Sequence, residues 1–258
     1  MPWHAVYADQ LRKCKQGHPL WCPDAGRRTS GILVGDVGYL KEGAFYPLFN
    51  ATLDANDDIN TRGVPERYKK FVVKDDLRKE YAKVIDRGPL HSTSLRKLQS
   101  CDTTLACGFQ CTDKKGALLV IRTPAIQEEL RDIDNMKRHM SSHIDSWLDF
   151  AKRQRPELKM EDITFVFGFI KTTQWAVAAL TKGQNAELSF TGKFTDTEPA
   201  FSVEPRGTDF EYRTGPAGRD TQLTMPIDQC VFLHYIKMER LIGFPRCVIV
   251  RGERLAAP

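Results

Sequence analysis

The chain has 258 residues, of which 41% are hydrophobic and 28% charged, the make-up of an ordinary globular protein. That length buries a sizeable core, so neither disulfides nor metal are needed for folding. The net charge of +5 is a mild basic excess, compatible with an anionic partner such as acidic lipid or nucleic acid and common in proteins with neither.

The N-terminus, Met1-Pro2-Trp3-His4-Ala5-Val6-Tyr7, lacks the basic and apolar regions of a secretory signal. Residues 4–16 read as a short basic helix, with Val6, Leu11 and Cys14 as a modest apolar stripe and Arg12, Lys13 and Lys15 on other faces. Gly17-His18-Pro19 ends it, and Pro23 to Arg28 is a basic turn-rich loop. Short strands are expected at 32–34 and 44–49, on either side of a loop containing Gly35-Asp36-Val37-Gly38, followed by a polar irregular stretch at 54–63. Residues 105–111 and 117–121 read as a strand pair joined by a hairpin loop at 112–116.

The strongest helix signal comes next. Thr123 is suited to an N-cap and Pro124 to the first helical position. Ile126, Leu130, Ile133, Met140, Ile144, Trp147 and Leu148 then recur at helical spacing, and the helix should stop before Pro156. The remainder reads as β structure. Ile163 to Ile170 has the composition of a buried strand and is too short to span a membrane as a helix. Trp175 to Leu180 continues it or pairs with it. Short segments around Phe190, Phe194, Phe201 and Phe210 follow, broken by Pro199, Pro205 and Gly207, before a long strand from Cys230 to Arg240. The expected fold class is α+β: a twisted, mainly antiparallel sheet with a short basic N-terminal helix and a long packed helix, in one domain spanning residues 1–258.

The chemistry-bearing residues form no recognisable catalytic motif. His139 and His143 stand four apart on the expected helix, a spacing that can serve a metal, but no glutamate lies between them and no third ligand follows. Surface or core histidines are the simpler reading. Cys14, Cys22, Cys101, Cys107, Cys111, Cys230 and Cys247 are odd in number and irregular in spacing, which argues against a disulfide framework and for free thiols in a reducing cytosol. There is no phosphate-binding glycine loop and no nucleophile elbow. Paired basic residues are scattered along the chain, and the aromatics fall at strand-like core positions, so a nucleic-acid groove is not expected. The reading is a non-enzyme without cofactor or metal.

Two resemblances add to this. Gly17-His18-Pro19-Leu20-Trp21-Cys22-Pro23, Val34-Gly35-Asp36-Val37-Gly38, Leu48-Phe49-Asn50, Gly63-Val64-Pro65, Trp175-Ala176-Val177-Ala178 and Asp228-Gln229-Cys230-Val231-Phe232 resemble a family of proteins from mushroom-forming fungi. No activity comes with that family. More distantly, the order of elements resembles the pore-forming N-terminal domain of gasdermins. A short basic helix leads into a basic loop and a Gly-Asp-Val strand start. A strand pair, a helix, the apolar strand Phe165-Val166-Phe167-Gly168-Phe169 and a long β excursion follow, and Thr224-Met225-Pro226 precedes a terminal strand. That resemblance implies binding to acidic phospholipids through Arg12, Lys13, Lys15, Arg27 and Arg28, and oligomerisation into a β-barrel pore with Phe190 and Phe194 entering the membrane. It also implies a cytoplasmic protein that moves to the membrane on activation, a role in regulated cell death, and an inhibitory or activating protein partner. Residues 92–122 and 184–213 are the segments that would be recast as barrel hairpins. The rival reading is a protein-interaction or allorecognition module that never enters a membrane.

Overall fold

The computed structural model describes residues 1–24, 31–97, 106–194, 199–216, 225–241 and 244–252. Helix α1 spans Trp3–Arg12. Strands β1 (His18–Pro19), β2 (Asp36–Lys41), β3 (Ala44–Asn50), β4 (Arg78–Ile85), β5 (Gly88–His91), β6 (Leu95–Lys97), β7 (Ala106–Cys111), β8 (Lys115–Ile121) and β9 (Ala125–Leu130) precede the long helix α2 (Ile133–Gln154). Strands β10 (Ile163–Thr172), β11 (Trp175–Phe194), β12 (Pro199–Gly215), β13 (Gln229–Leu241) and β14 (Phe244–Val250) follow. The expected α+β class is what the molecule has, with two sheets whose described pairings are all antiparallel.

The first sheet is built on β10 and β13. On its other edge β10 carries β2, through Ile163–Phe165, and then β9, through Gly168–Lys171. The outer edge of β13 is likewise shared by β1 and β14. All ten residues of β10 are buried, which explains an apolar run without alternation: both of its faces are covered. Gly168 is required by close approach, since a Cβ there would lie 2.6 Å from the Glu128 carbonyl oxygen of β9. One face is covered by α2. Met136, Met140, Ile144, Trp147 and Ala151 form its buried stripe, and the Trp147 ring meets Phe49 and Phe165 edge-on at 5.6 and 5.3 Å.

The second sheet is a ribbon organised by β11. Along one edge β11 pairs with β12 from Trp175↔Gly215 to Phe194↔Pro199. Along the other it pairs first with β8, from Trp175↔Ile121 to Thr181↔Lys115, and then with β7, from Glu187↔Gln110 to Thr191↔Ala106. β7 and β8 therefore run on in one direction as a single interrupted strand. β5 and β6 extend the sheet beyond them.

Both sheets share one joint. β8 leads into β9 and β10 into β11 by adjacent crossings, where Arg122 Nη1 donates to Gln174 Oε1 (2.8 Å) and the Thr123 hydroxyl meets those of Thr172 and Thr173. Trp175, just past the joint, donates from Nε1 to Gln229 Oε1 (3.0 Å).

Several expectations are corrected. The segment headed by Thr123-Pro124 is strand β9, and the helix begins at Ile133; residues on β10 need a partner along Gly168–Lys171, and β9 supplies it. Residues 32–34 are not a strand, and Asp36-Val37-Gly38 lies within β2, not in a loop. Helix α1 stops at Arg12, four residues early, and Lys15 takes a left-handed backbone (φ 59°). Residues 112–116 do not turn a hairpin, because β7 and β8 do not pair. Trp175 opens the second sheet and does not pair with β10. The segments around Phe201 and Phe210 belong to one strand of 17 residues. β12 pairs only with β11 among the described residues, so Pro199 and Pro205 sit on an edge strand, where a missing N–H breaks no ladder.

Candidate membrane interface

Helix α1 has Pro2 at its N-cap with no side-chain cap, so docking rather than capping holds it in place. Val6, Tyr7, Gln10 and Leu11 are buried. The apolar members pack with Ala117, Leu119, Val177 and Ala179 of the second sheet and with Val231 and Phe232 of the first. The side chains of Arg12, Lys13 and Lys15 are exposed at its C-terminal end, where cations are favoured by the helix dipole.

The fold adds two cations to these three. Gln16 and Gly252 form an isolated antiparallel bridge, which lays the end of the β14 segment beside the basic turn and brings in the exposed Arg251. Lys237 of β13 lies close enough to act on His18 and pairs with Glu239 at 2.8 Å. The histidines of this region record the positive field. Burial, then Arg12 and Lys237, holds His18 down at about 4. Burial is also the main cause of the lowered value at His234, with Arg251 acting in the same direction against a bond to the Gln16 carbonyl. Gly17 (φ 112°) permits this arrangement, because a Cβ there would stand 2.5 Å from the His234 ring. Arg27 and Arg28 lie outside the described residues.

The segments singled out as hairpins, 92–122 and 184–213, belong to the same sheet. They are hydrogen-bonded to each other where β7 meets the far half of β11. The 20 residues of β11 extend to roughly 65 Å at strand rise, well beyond the 9–11 residues that cross a bilayer. Phe190 pairs with Cys107 and Val203, and Phe194 with Pro199, all in this far half. Along β11, Phe190 lies up to roughly 40 Å from the residues that α1 covers. The side chains of Phe190 and Phe194 are outside the description.

His139 and His143 stack at 4.5 Å on α2. Burial and then His143 hold His139 down at about 4. No group of three or more His, Cys, Asp or Glu positioned to hold a metal occurs among the described residues. Burial pushes the Cys230 thiol up to about 12, the reverse of an activated nucleophile, and its Sγ donates to the Phe232 carbonyl. Lys171 is buried against the Phe169 ring, 4.0 Å from its centre, and burial lowers its pKa despite nearby anions. No helix among the described residues is long and apolar enough to cross a membrane.

Sequence reading found Arg12, Lys13 and Lys15 because they cluster within four positions. Lys237 and Arg251 carry no such signal, since only the strand pairing brings them to the turn after α1. No protein-family model matches the chain, and no curated protein matches it.

Proposed function

We propose that the protein is a gasdermin-like pore former that binds acidic phospholipid through the basic end of α1 and recasts the ribbon of β7, β8, β11 and β12 as barrel strands in a homo-oligomer. The observation that supports this most is the ribbon itself. Two strands of 20 and 17 residues pair over their length, leave one edge unpaired among the described residues, and share a sheet with the second candidate segment. A strand crosses a bilayer only in a closed barrel of paired antiparallel strands, and both strands exceed the roughly 9–11 residues that one crossing takes. Cytoplasmic residence, relocation on activation, a role in cell death and a protein partner that restrains or triggers the change belong to the same reading.

The test uses liposomes of graded anionic lipid with trapped dye. Each Lys or Arg near an anionic surface contributes about 1 kcal/mol, so the triple reversal of Arg12, Lys13 and Lys15 to Glu removes roughly 3 kcal/mol and weakens co-sedimentation by about a hundred-fold or more. Arg251→Glu alone should cost roughly a further five- to ten-fold, and wild-type binding should decline with salt. Binding without dye release under every activation condition would leave a peripheral module that never inserts.

A further inference from the structure

Helix α1 is fastened to the strands that the proposed pore would have to move. Gln10, Ser92 and Ser94 are all buried, beside the apolar cluster that α1 shares with β8 and β11. Ser94 Oγ donates to Gln10 Oε1 (3.0 Å), the Ser92 and Ser94 hydroxyls meet at 2.7 Å, and Ser92 Oγ accepts from the Ala117 amide (3.0 Å). This chain of bonds runs from α1 through the turn between β5 and β6 into β8. Cys14 Sγ adds a contact to the His91 carbonyl at 3.4 Å. A buried polar network of this kind is specific, because any displacement leaves several groups unsatisfied together.

One residue on the same face works against docking. Tyr7 is fully buried against the edge of Trp21, and its hydroxyl has no hydrogen-bond partner among the described residues. A buried donor left unpaired is a standing penalty on the docked state, and undocking relieves it by returning the hydroxyl to water. The freed helix would then offer Trp3, Val6, Tyr7 and Leu11 beside Arg12, Lys13 and Lys15. That is the composition of a helix lying in a membrane interface.

We infer that α1 is a releasable strap: the Gln10–Ser94–Ser92 clasp holds β5, β6 and β8 in the soluble arrangement, and the unpaired Tyr7 hydroxyl keeps its release cheap. The inference deepens the pore reading and rests on it for its purpose. It makes one demand that a merely structural helix does not, namely that α1 and the strands β5, β6 and β8 open together.

Amide hydrogen exchange on the free protein, without lipid, reads this directly. Tyr7→Phe removes the penalty and should slow exchange in α1, β5, β6 and β8 together by about five-fold or more, while Ser94→Ala should quicken the same segments. Helix α2, whose apolar residues belong to the other core cluster, should stay unchanged in both variants. On acidic liposomes Tyr7→Phe should delay dye release and Ser94→Ala hasten it. Exchange in α1 that is independent of β5, β6 and β8, or unmoved by Tyr7→Phe, overturns the strap. Coupled exchange in a protein that releases no dye supports the strap and overturns the pore reading alone.

Discussion

Acid should destabilise this protein from about pH 6.5 downward, because His18 and His139 are both held near 4, below the 6.5 of a free imidazole. Burial is the first cause at each; at His18 the charges of Arg12 and Lys237 add to it, and at His139 the ring of His143 does. The unfolded chain takes up protons from pH 6.5 downward, while the folded chain resists until about 4. The stability contributed is therefore complete above 6.5 and is lost as pH falls through that window. The slope is at most about 1.4 kcal/mol per pH unit for each ring, a ceiling of roughly 2 kcal/mol each between pH 6.5 and 5. Both rings keep partial solvent contact, so roughly 1 kcal/mol each is the working figure. Two such losses are a sizeable share of a typical total of about 5–15 kcal/mol. Urea unfolding followed by tryptophan fluorescence at about pH 7, 6 and 5 measures the slope, and the double variant His18→Gln, His139→Gln should reduce it, leaving the part that the buried His234 contributes. Equal stability at the two ends of the range, or an unchanged slope in the double variant, would refute the reasoning.

Phe190→Asp or Phe194→Asp should block dye release while leaving initial lipid binding intact, since a charge facing lipid near the bilayer midplane costs about 2–4 kcal/mol for Arg or Lys and somewhat less for Asp; loss of both steps together would indicate misfolding instead. Gly168→Ala should lower stability by about 1–3 kcal/mol, because the added methyl meets the Glu128 carbonyl at 2.6 Å in a strand paired on both edges; a denaturation midpoint equal to wild type would contradict that packing. Alkylation under denaturing, non-reducing conditions should label seven cysteines, consistent with the free thiols at Cys14, Cys22, Cys111, Cys230 and Cys247. A stable shortfall of two labels would mean that a disulfide forms.

The sequence was most legible where one period had no competitor. Met140, Ile144 and Trp147 fit only a helix, and the β-branched and aromatic run from Ile163 fits only a buried strand. It misled at Ile126 and Leu130, because a spacing of four satisfies both the helical stripe and one face of a strand. The need of β10 for an edge partner decided between them. Pro199 and Pro205 broke the reading of β12 into fragments, although an edge strand tolerates proline where the nitrogen faces the open side. At the candidate site Arg12, Lys13 and Lys15 were visible, and Lys237 and Arg251 were not. Their proximity depends on the Gln16–Gly252 bridge and on β13, which link residues more than two hundred positions apart. The buried clasp was equally hidden, since Gln10, Ser92 and Ser94 look like ordinary surface residues until α1 is docked.

The arrangement of the two sheets bears on how a pore could form without unfolding the whole chain. The strands that would lengthen, β8 and β11, continue directly into β9 and β10, which are paired inside the first sheet. Their bases are pinned at the joint by the Arg122–Gln174 and Trp175–Gln229 bonds, so any new pairing inherits a fixed register there. The far half of β11 meets β7 across a register shift between Lys182 and Glu187 in its pairing with β12, which separates it from the near half beneath α1. Under the proposed pore, refolding that began beyond this irregularity would leave the Trp147 core under α2 untouched and would reach the near half only once α1 let go. On the proposed reading, a basic helix clasped over that half would make lipid binding and strand release one event, because the residues drawn to the membrane would be the continuation of the helix that does the clasping.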